Sequence, residues 1–460
     1  MKPQTRKRIF YVFILLFVVI GAAVVLYAEG WRINSSTLVA EKAGGIYIRS
    51  YPNNALITLN GKPVQNQSAF MSPGTFISGL FPKVYTLTLS APGYDTWTED
   101  PQIVPSLVTE MKYAVLVPKA ATNVATTTPA VADFFEADGE VVVTNASATI
   151  SWLEKTIGYG TVVSHSTDLR TAIIRTVSSK TGIATYSVYD FSAATSTNFS
   201  ALLKQSGIRP TPTTNVFVDP YDDTSMIVQT PTQIVAIDSG TYRATVVDTA
   251  PAGETIESPI AVSPSVIAWA RYTAGAGGAT GSSSALNAHG TSQIVVYDKF
   301  SGNTIDSSLT LNGSIKQLAW VRNNVLGILA SDNTLYLYNV PNEQLSTLAD
   351  DVKQFYPTND DTALAALEYN SLEVFSFATQ DYYRFALPDV ADAQGLIWYK
   401  DDAHLFVQYP GRVAFLDLAD INLKNLTTVS AGTDAAYDPQ ENALYLIDQG
   451  QKLLRFDFPE

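Results

Sequence analysis

The sequence predicts an all-β protein behind one N-terminal transmembrane helix. Three observations predict it: twenty uncharged residues near the N-terminus, tight-turn signals between segments of alternating polarity, and a loop-and-strand pattern that returns roughly every forty residues. Composition agrees. At 460 residues the chain is long enough for two or three domains, and 46% of it is apolar, enough for real cores. Tyr, Thr and Val, all strand formers, are plentiful. The net charge of −14 disfavours a phosphate backbone, so no nucleic acid is expected as a partner. The absence of cysteine removes disulfides, thiolate metal sites, cysteine nucleophiles and a lipoprotein anchor.

The helix comes first. Lys2, Arg6, Lys7 and Arg8 precede the uncharged run Ile9 to Ala28. At about 1.5 Å per residue that run matches the roughly 30 Å hydrocarbon core of a bilayer. The four cations predict a cytoplasmic tail at 1–8 and an extracytoplasmic bulk, with Tyr27 and Trp31 at the outer interface. A signal peptide cleaved after the Gly-Ala-Ala that ends at Ala23 is the rival reading. It leaves five further apolar residues where a signal peptide turns polar.

After a spacer at 29–43, a compact all-β module is expected over 44–118. Ala55, Ile57 and Leu59 alternate with Leu56, Thr58 and Asn60, the period of a strand. Asn60-Gly61 is a type I′ hairpin signal, since that turn needs positive φ at both positions. Tyr85, Leu87 and Leu89 are expected inside and Thr86, Thr88 and Ser90 outside, and "TEMKYAVLVP" supplies the closing strand.

The residues of this module, "YPNNALITLNGKPV" followed by "SPGTFISGLFPKVYTLTLSAPGYDTW", resemble the PEGA domain. Pro52, Ala55, Asn60, Gly61, Ser72, Pro73, Leu80, Pro82, Tyr85, Gly93 and Tyr94 fit that family's pattern. The name-giving tetrapeptide reads Pro-Asn-Asn-Ala here, and the usual Pro-Gly turn reads Pro82-Lys83. The resemblance implies a small extracytoplasmic β-sandwich of envelope proteins, without catalytic residues.

An Ala/Thr/Pro-rich stretch, 119–135, reads as a linker. Beyond it, polar knots recur near Asp168, Asp222, Pro264, Asn323, Asp360, Asp401 and Glu441, each followed by an apolar run. The gaps are 54, 42, 59, 37, 41 and 40 residues. The longest holds a Gly/Ser-rich insertion, Tyr272 to Ser292; without it that gap is also about forty, the period of a propeller blade. Each unit divides into four strands. "IKQLAW", "VLGILAS", "TLYLYNV" and "QLSTLAD" form one unit, and "VKQFYP", "TALAALE", "SLEVFSF" and "YYRFALP" the next. The knot is then the hairpin between a blade's first two strands, where Asp and Asn tolerate left-handed conformations and bond their own backbone. The last unit shows only three strands, and "GEVVVTNAS" from Gly139 is expected to supply the fourth and close the ring. A β-propeller over 136–460 follows, with seven blades expected and six or eight left open by an irregular first unit. The repeats resemble the broad class of bacterial propellers.

Chemistry is sparse. His165, His289 and His404 fall in three different units without ligand spacing, and no Gly-x-Ser-x-Gly elbow is present. The pairs Asp222-Asp223, Asp360-Asp361 and Asp401-Asp402 sit at equivalent places on different blades. They are expected to circle a rim as turn residues, without converging as glycosidase carboxylates do or forming a calcium loop. "GAGGATG" from Gly275 lacks the lysine and the helix of a phosphate loop, and the Asn-x-Ser/Thr triplets at Asn66 and Asn198 are expected from composition. No catalytic, cofactor-binding or metal-ligating residue is assigned, and no cofactor is expected. The expected role is non-catalytic: a single-pass, membrane-anchored scaffold presenting a propeller to an envelope protein or cell-wall polymer. Two alternatives stand beside it, a propeller enzyme acting on glycans or peptides and a purely structural surface spacer.

Overall fold

The computed structural model of the chain describes residues 3–460 apart from 35–38, 69–72, 126–129, 276–289 and positions 138, 206, 212, 239, 242, 359 and 421. Two compact units are present. One comprises 1–120 with 424–427 and 457–460, the other 121–423 with 428–456.

The first unit opens on the helix Pro3–Ala28. Its stretch Ile9–Ala28 has a mean hydropathy of 3.1, and none of it is buried against protein. The stretch 29–43, read as a spacer, instead carries a two-stranded hairpin, Trp31–Asn34 with Val39–Lys42. Its strands of four residues are too short to announce themselves by alternation.

The module that follows is a sandwich of two sheets. One is three-stranded, with Gly44–Tyr51 between Thr75–Leu80 and Val108–Val115; the other orders Lys62–Val64, Leu56–Leu59, Leu87–Ser90 and Trp97–Glu99. Alternation places one face of each strand inside. Ile46, Ile48, Ala55, Ile57, Leu59, Leu87, Leu89 and Trp97 share one buried cluster, while Leu56 is exposed. Asn60 (φ +49) and Gly61 (φ +73) make the left-handed two-residue turn that the sequence predicts. The Asn60 side chain accepts a hydrogen bond from Thr86 N at 2.8 Å, tying the hairpin to the next strand.

The described residues of the second unit form a ring of eight four-stranded antiparallel blades. They span 131–159, 161–197, 215–249, 254–312, 315–349, 352–385, 395–430 and 432–457, the last completed by Thr122–Ala125. In the first seven blades the strands follow one another as a simple meander, whereas in the eighth the outer strand comes from far upstream. Second strands are sandwiched between neighbouring blades and buried on both faces, as in Ala363–Glu368, where all six residues are buried. That double burial explains the unbroken apolar runs. Apolar clusters bridge successive blades: Ile227 and Ile234 meet Trp269 and Val295 between blades 3 and 4. The ring closes where Val131 and Val143 of blade 1 meet Tyr445, Ile447 and Leu453 of blade 8.

Among the described residues there are eight blades, one of the counts left open beside the expected seven. All seven knots are first hairpins, and an eighth first hairpin joins Val131–Ala137 to Glu140–Asn145, with Gly139 at φ +74. It comes only 29 residues ahead of Asp168, because blade 1 is short, so the forty-residue period hides it. The closing strand is also different. Glu140–Asn145, within "GEVVVTNAS", is the second strand of blade 1. The fourth strand of blade 8 is Thr122–Ala125, from the stretch read as a linker, paired antiparallel to Leu453–Asp457. It contributes four residues in an outer position, with Thr122, Asn123 and Val124 exposed, so no inward-facing alternation betrays it. The insertion is also shorter than expected. Tyr272 and Thr273 pair with Ser292 and Thr291 inside blade 4. Most of the "GAGGATG" stretch lies outside the described residues.

Candidate binding cleft

The first strands of blades 1 to 4 border two adjoining cavities. Blade 2 contributes Thr161–His165, whose ladder slips one residue between Val162 and Ser164. Val163, at the slip, is 39% exposed. Ser164 Oγ accepts a hydrogen bond from Val218 N at 3.0 Å and ties blade 2 to blade 3. His165 follows. Its ring stacks on Phe135 of blade 1, with centroids 4.2 Å apart and planes at 16°. Its Nδ1 lies 3.1 Å from the Ser166 carbonyl oxygen. A carbonyl can only accept, so Nδ1 carries the proton and Nε2 is the acceptor nitrogen of a neutral ring. Burial favours that neutral form by lowering the imidazole pKa.

The larger cavity, about 620 Å³, runs along blade 3's first strand, and its walls include Ser164, His165, Arg175, Tyr186, Phe217, Tyr221 and Gln229. The smaller, about 340 Å³, shares Val163, Ser164 and His165 and adds Asp133, Phe134, Phe135 and Thr144. Burial raises the Asp133 pKa. Tyr186 is fixed, its hydroxyl donating to Thr214 O at 2.5 Å, while Tyr221 is 59% exposed in the first hairpin of blade 3. Stacking faces and neutral hydrogen-bonding groups dominate this surface. Such a surface suits recognition of a flat or extended polar ligand.

The other chemistry-bearing residues are elsewhere. His404 is fully buried in blade 7, Nδ1 2.8 Å from Asp401 Oδ2, its ring stacked on Phe415 at 4.8 Å. His289 lies outside the described residues. Among those described, no group of three or more His, Cys, Asp or Glu is arranged to hold a metal ion. The knot carboxylates cap their own turns. Asp222 Oδ1 accepts from Thr224 N and Oγ1, Asp360 Oδ1 from Thr362 N and Oγ1, and Asp401 Oδ1 from Ala403 N.

One expectation about these acids fails. The pairs were expected never to converge, yet neighbouring knots touch. Asp361 Oδ2 accepts from Asn323 N of the preceding blade at 3.2 Å, and the Asp402 carboxyl hydrogen-bonds to Asp360. Burial and then the Asp360 carboxylate push the Asp402 pKa from 3.8 up to about 7. The folded state therefore holds a proton that the unfolded chain releases. Its stabilisation is complete below the unfolded value and is lost as pH rises through about 7. Asp402→Asn keeps a neutral hydrogen-bonding group there. Its melting temperature should exceed that of the parent above pH 7 and converge with it near pH 4. A constant difference across that window would remove the shared proton from the account.

The cleft residues were not read from the sequence because no local spacing joins them. Ser164 and Val218 stand 54 residues apart and meet only when blades 2 and 3 pack. Tyr221 offered the one signal, an aromatic residue inside a polar knot.

No family model matches the chain, and no curated protein matches it in sequence. Solved structures do match. Dipeptidyl peptidase 4 of Porphyromonas gingivalis is similar over 73% of this chain and 60% of its own, with 12% identity and a TM-score of 0.50. The oligogalacturonate lyase of Vibrio parahaemolyticus shares 9% identity over 71% of this chain and 97% of its own, TM-score 0.47. BamB of Moraxella catarrhalis shares 13% over 74% of this chain and 100% of its own, TM-score 0.44. These likenesses concern the fold.

Proposed function

We propose that the chain is a single-pass membrane scaffold, with a cytoplasmic N-terminus, a PEGA-like module and a propeller outside the membrane. The propeller presents its cleft to an envelope protein or cell-wall polymer. The anchor rests on the exposed twenty-residue apolar stretch Ile9–Ala28 and the cations that precede it. The binding role rests on one observation. The cleft along blades 1 to 4 offers aromatic faces and neutral hydrogen-bonding groups, while the knot carboxylates bond their own turns or the neighbouring knot.

Retention of residues 30–460 on isolated cell-wall polymer and on envelope protein fractions tests it. Tyr221→Ala should weaken retention by about tenfold or more, since truncating an aromatic anchor at an interface costs roughly 2 kcal/mol. Unchanged retention would remove the cleft from the binding surface. Turnover of a glycan or peptide by the purified chain would favour an enzyme instead.

A further inference from the structure

The hairpin after the apolar helix has no sheet of its own to join. Among the described residues, Trp31–Asn34 and Val39–Lys42 form a sheet of these two strands alone. A lone two-stranded ribbon is marginal in water, so something beyond its own ladder is needed to hold it. The register shows what it offers. Trp31 pairs with Lys42 and Ile33 with Ala40, which places those four on one face. Arg32 with Glu41 and Asn34 with Val39 occupy the other. The first face is apolar with a single cation at its edge, the second polar except for Val39. Ile33 is 74% exposed and Ala40 beside it is exposed too.

The hairpin is fastened to the helix. Gly30 N bonds Tyr27 O at 3.2 Å, and Ala43 N bonds Gly30 O at 2.9 Å from the far side of the ribbon. The Arg32 guanidinium lies over the Tyr27 ring, 3.6 Å from its centroid, and donates to Tyr27 O at 2.8 Å, so it caps a terminal helix carbonyl. Lys42 Nζ sits 5.7 Å from the centre of the Trp31 ring. Trp31 is therefore three residues beyond Ala28, where a helix that crosses the hydrocarbon core emerges.

Resting on the membrane-anchor reading, we infer that this hairpin lies in the outer interface of the same bilayer, its Trp31–Ile33–Ala40 face against lipid. Indole rings prefer that depth, and a lysine stem reaches from it to the headgroups. The occupant is fixed by covalent continuity: the lipid that surrounds the helix end is the first surface the apolar face meets. The hairpin then acts as a second, interfacial anchor, setting the angle at which the chain leaves the membrane.

The chain has no cysteine, so single spin labels report without background. Phe17→Cys, Ile33→Cys and Asn34→Cys in the full chain, reconstituted into phosphatidylcholine–phosphatidylglycerol vesicles, are read by collision with oxygen and with a water-soluble nickel chelate. The expected result is a Phe17 label deep in hydrocarbon, an Asn34 label in water, and an Ile33 label at the boundary with several-fold less nickel collision than Asn34. A deep Phe17 label with Ile33 and Asn34 equally open to nickel overturns the inference and leaves the anchor standing. An Ile33 label shielded from both reagents overturns it in favour of a protein covering, a second copy included. Nickel access at Phe17 overturns the anchor reading, and the inference with it.

Discussion

Arg271→Leu should cost about 3–5 kcal/mol of stability, because it leaves a buried carboxylate without its cation. Arg271 sits in the second strand of blade 4 with its side chain 8% exposed, and Asp248, in the fourth strand of blade 3, is 5% exposed. The pair is bidentate, Nη2 to Oδ1 at 2.5 Å and Nε to Oδ2 at 2.9 Å, and Trp269 Nε1 also donates to Asp248 Oδ2 at 2.9 Å. Asp306, half-exposed on the fourth strand of blade 4, accepts from Nη1 at 3.0 Å. Every donor on this side of Asp248 is thus spent on one interblade contact, and hydrogen bonds to Asp248 strengthen the guanidinium's hold on its proton. The single variant strands the charge, whereas Arg271→Leu with Asp248→Leu removes both ions together and should recover much of the loss. Denaturant melts of the two singles and the double measure the coupling. Additive costs would mean that the pair does not hold blade 3 to blade 4.

The second large effect concerns closure. Thr122→Pro with Asn123→Pro keeps the length of the closing strand but places proline, which has no N–H, at two paired positions of its ladder. The third strand of blade 8, Leu453–Asp457, is then left as an open edge. Losing this short ladder, at about 1 kcal/mol for each hydrogen bond, should cost roughly 2–4 kcal/mol. The effect should be local first: amides of Leu453–Asp457 should exchange with solvent sooner than those of the second strands. Deleting 139–147 is a different experiment, since it removes the middle of blade 1. Unchanged exchange at Leu453–Asp457 in the double-proline variant would contradict the closure described here.

Much of this fold was legible because each local signal was also the global one. Asn60-Gly61 is a turn by its own chemistry. The Asp and Asn knots mark hairpins for the same reason, and Asn324, Asp361, Asp402 and Asn442 all take the left-handed φ that such turns require. The apolar runs after them were legible because second strands are buried on both sides. What escaped was long-range or short. Thr122–Ala125 pairs with residues some 330 positions away, and nothing in so short a segment announces that partner. Blade 1 escaped because its compact hairpin breaks the repeat. The cleft escaped for a stronger reason. Its walls come from separate blades, and the register slip between Val162 and Ser164 is a property of pairing that no local pattern announces. The contact between Asp402 and Asp360 is long-range in the same sense: equivalent turns 42 residues apart in sequence meet only because neighbouring blades stand side by side.

The central claim, a propeller held outside the membrane by the N-terminal helix, is open to one direct measurement. Phe300, 85% exposed in the hairpin that joins the last two strands of blade 4, takes a cysteine without disturbing a core, and the native chain has none to compete. In sealed cells or spheroplasts, a membrane-impermeant maleimide should label Phe300→Cys fully before lysis, and Gln4→Cys only after it. Labelling of Phe300→Cys only after lysis, with Gln4→Cys open beforehand, would contradict the account.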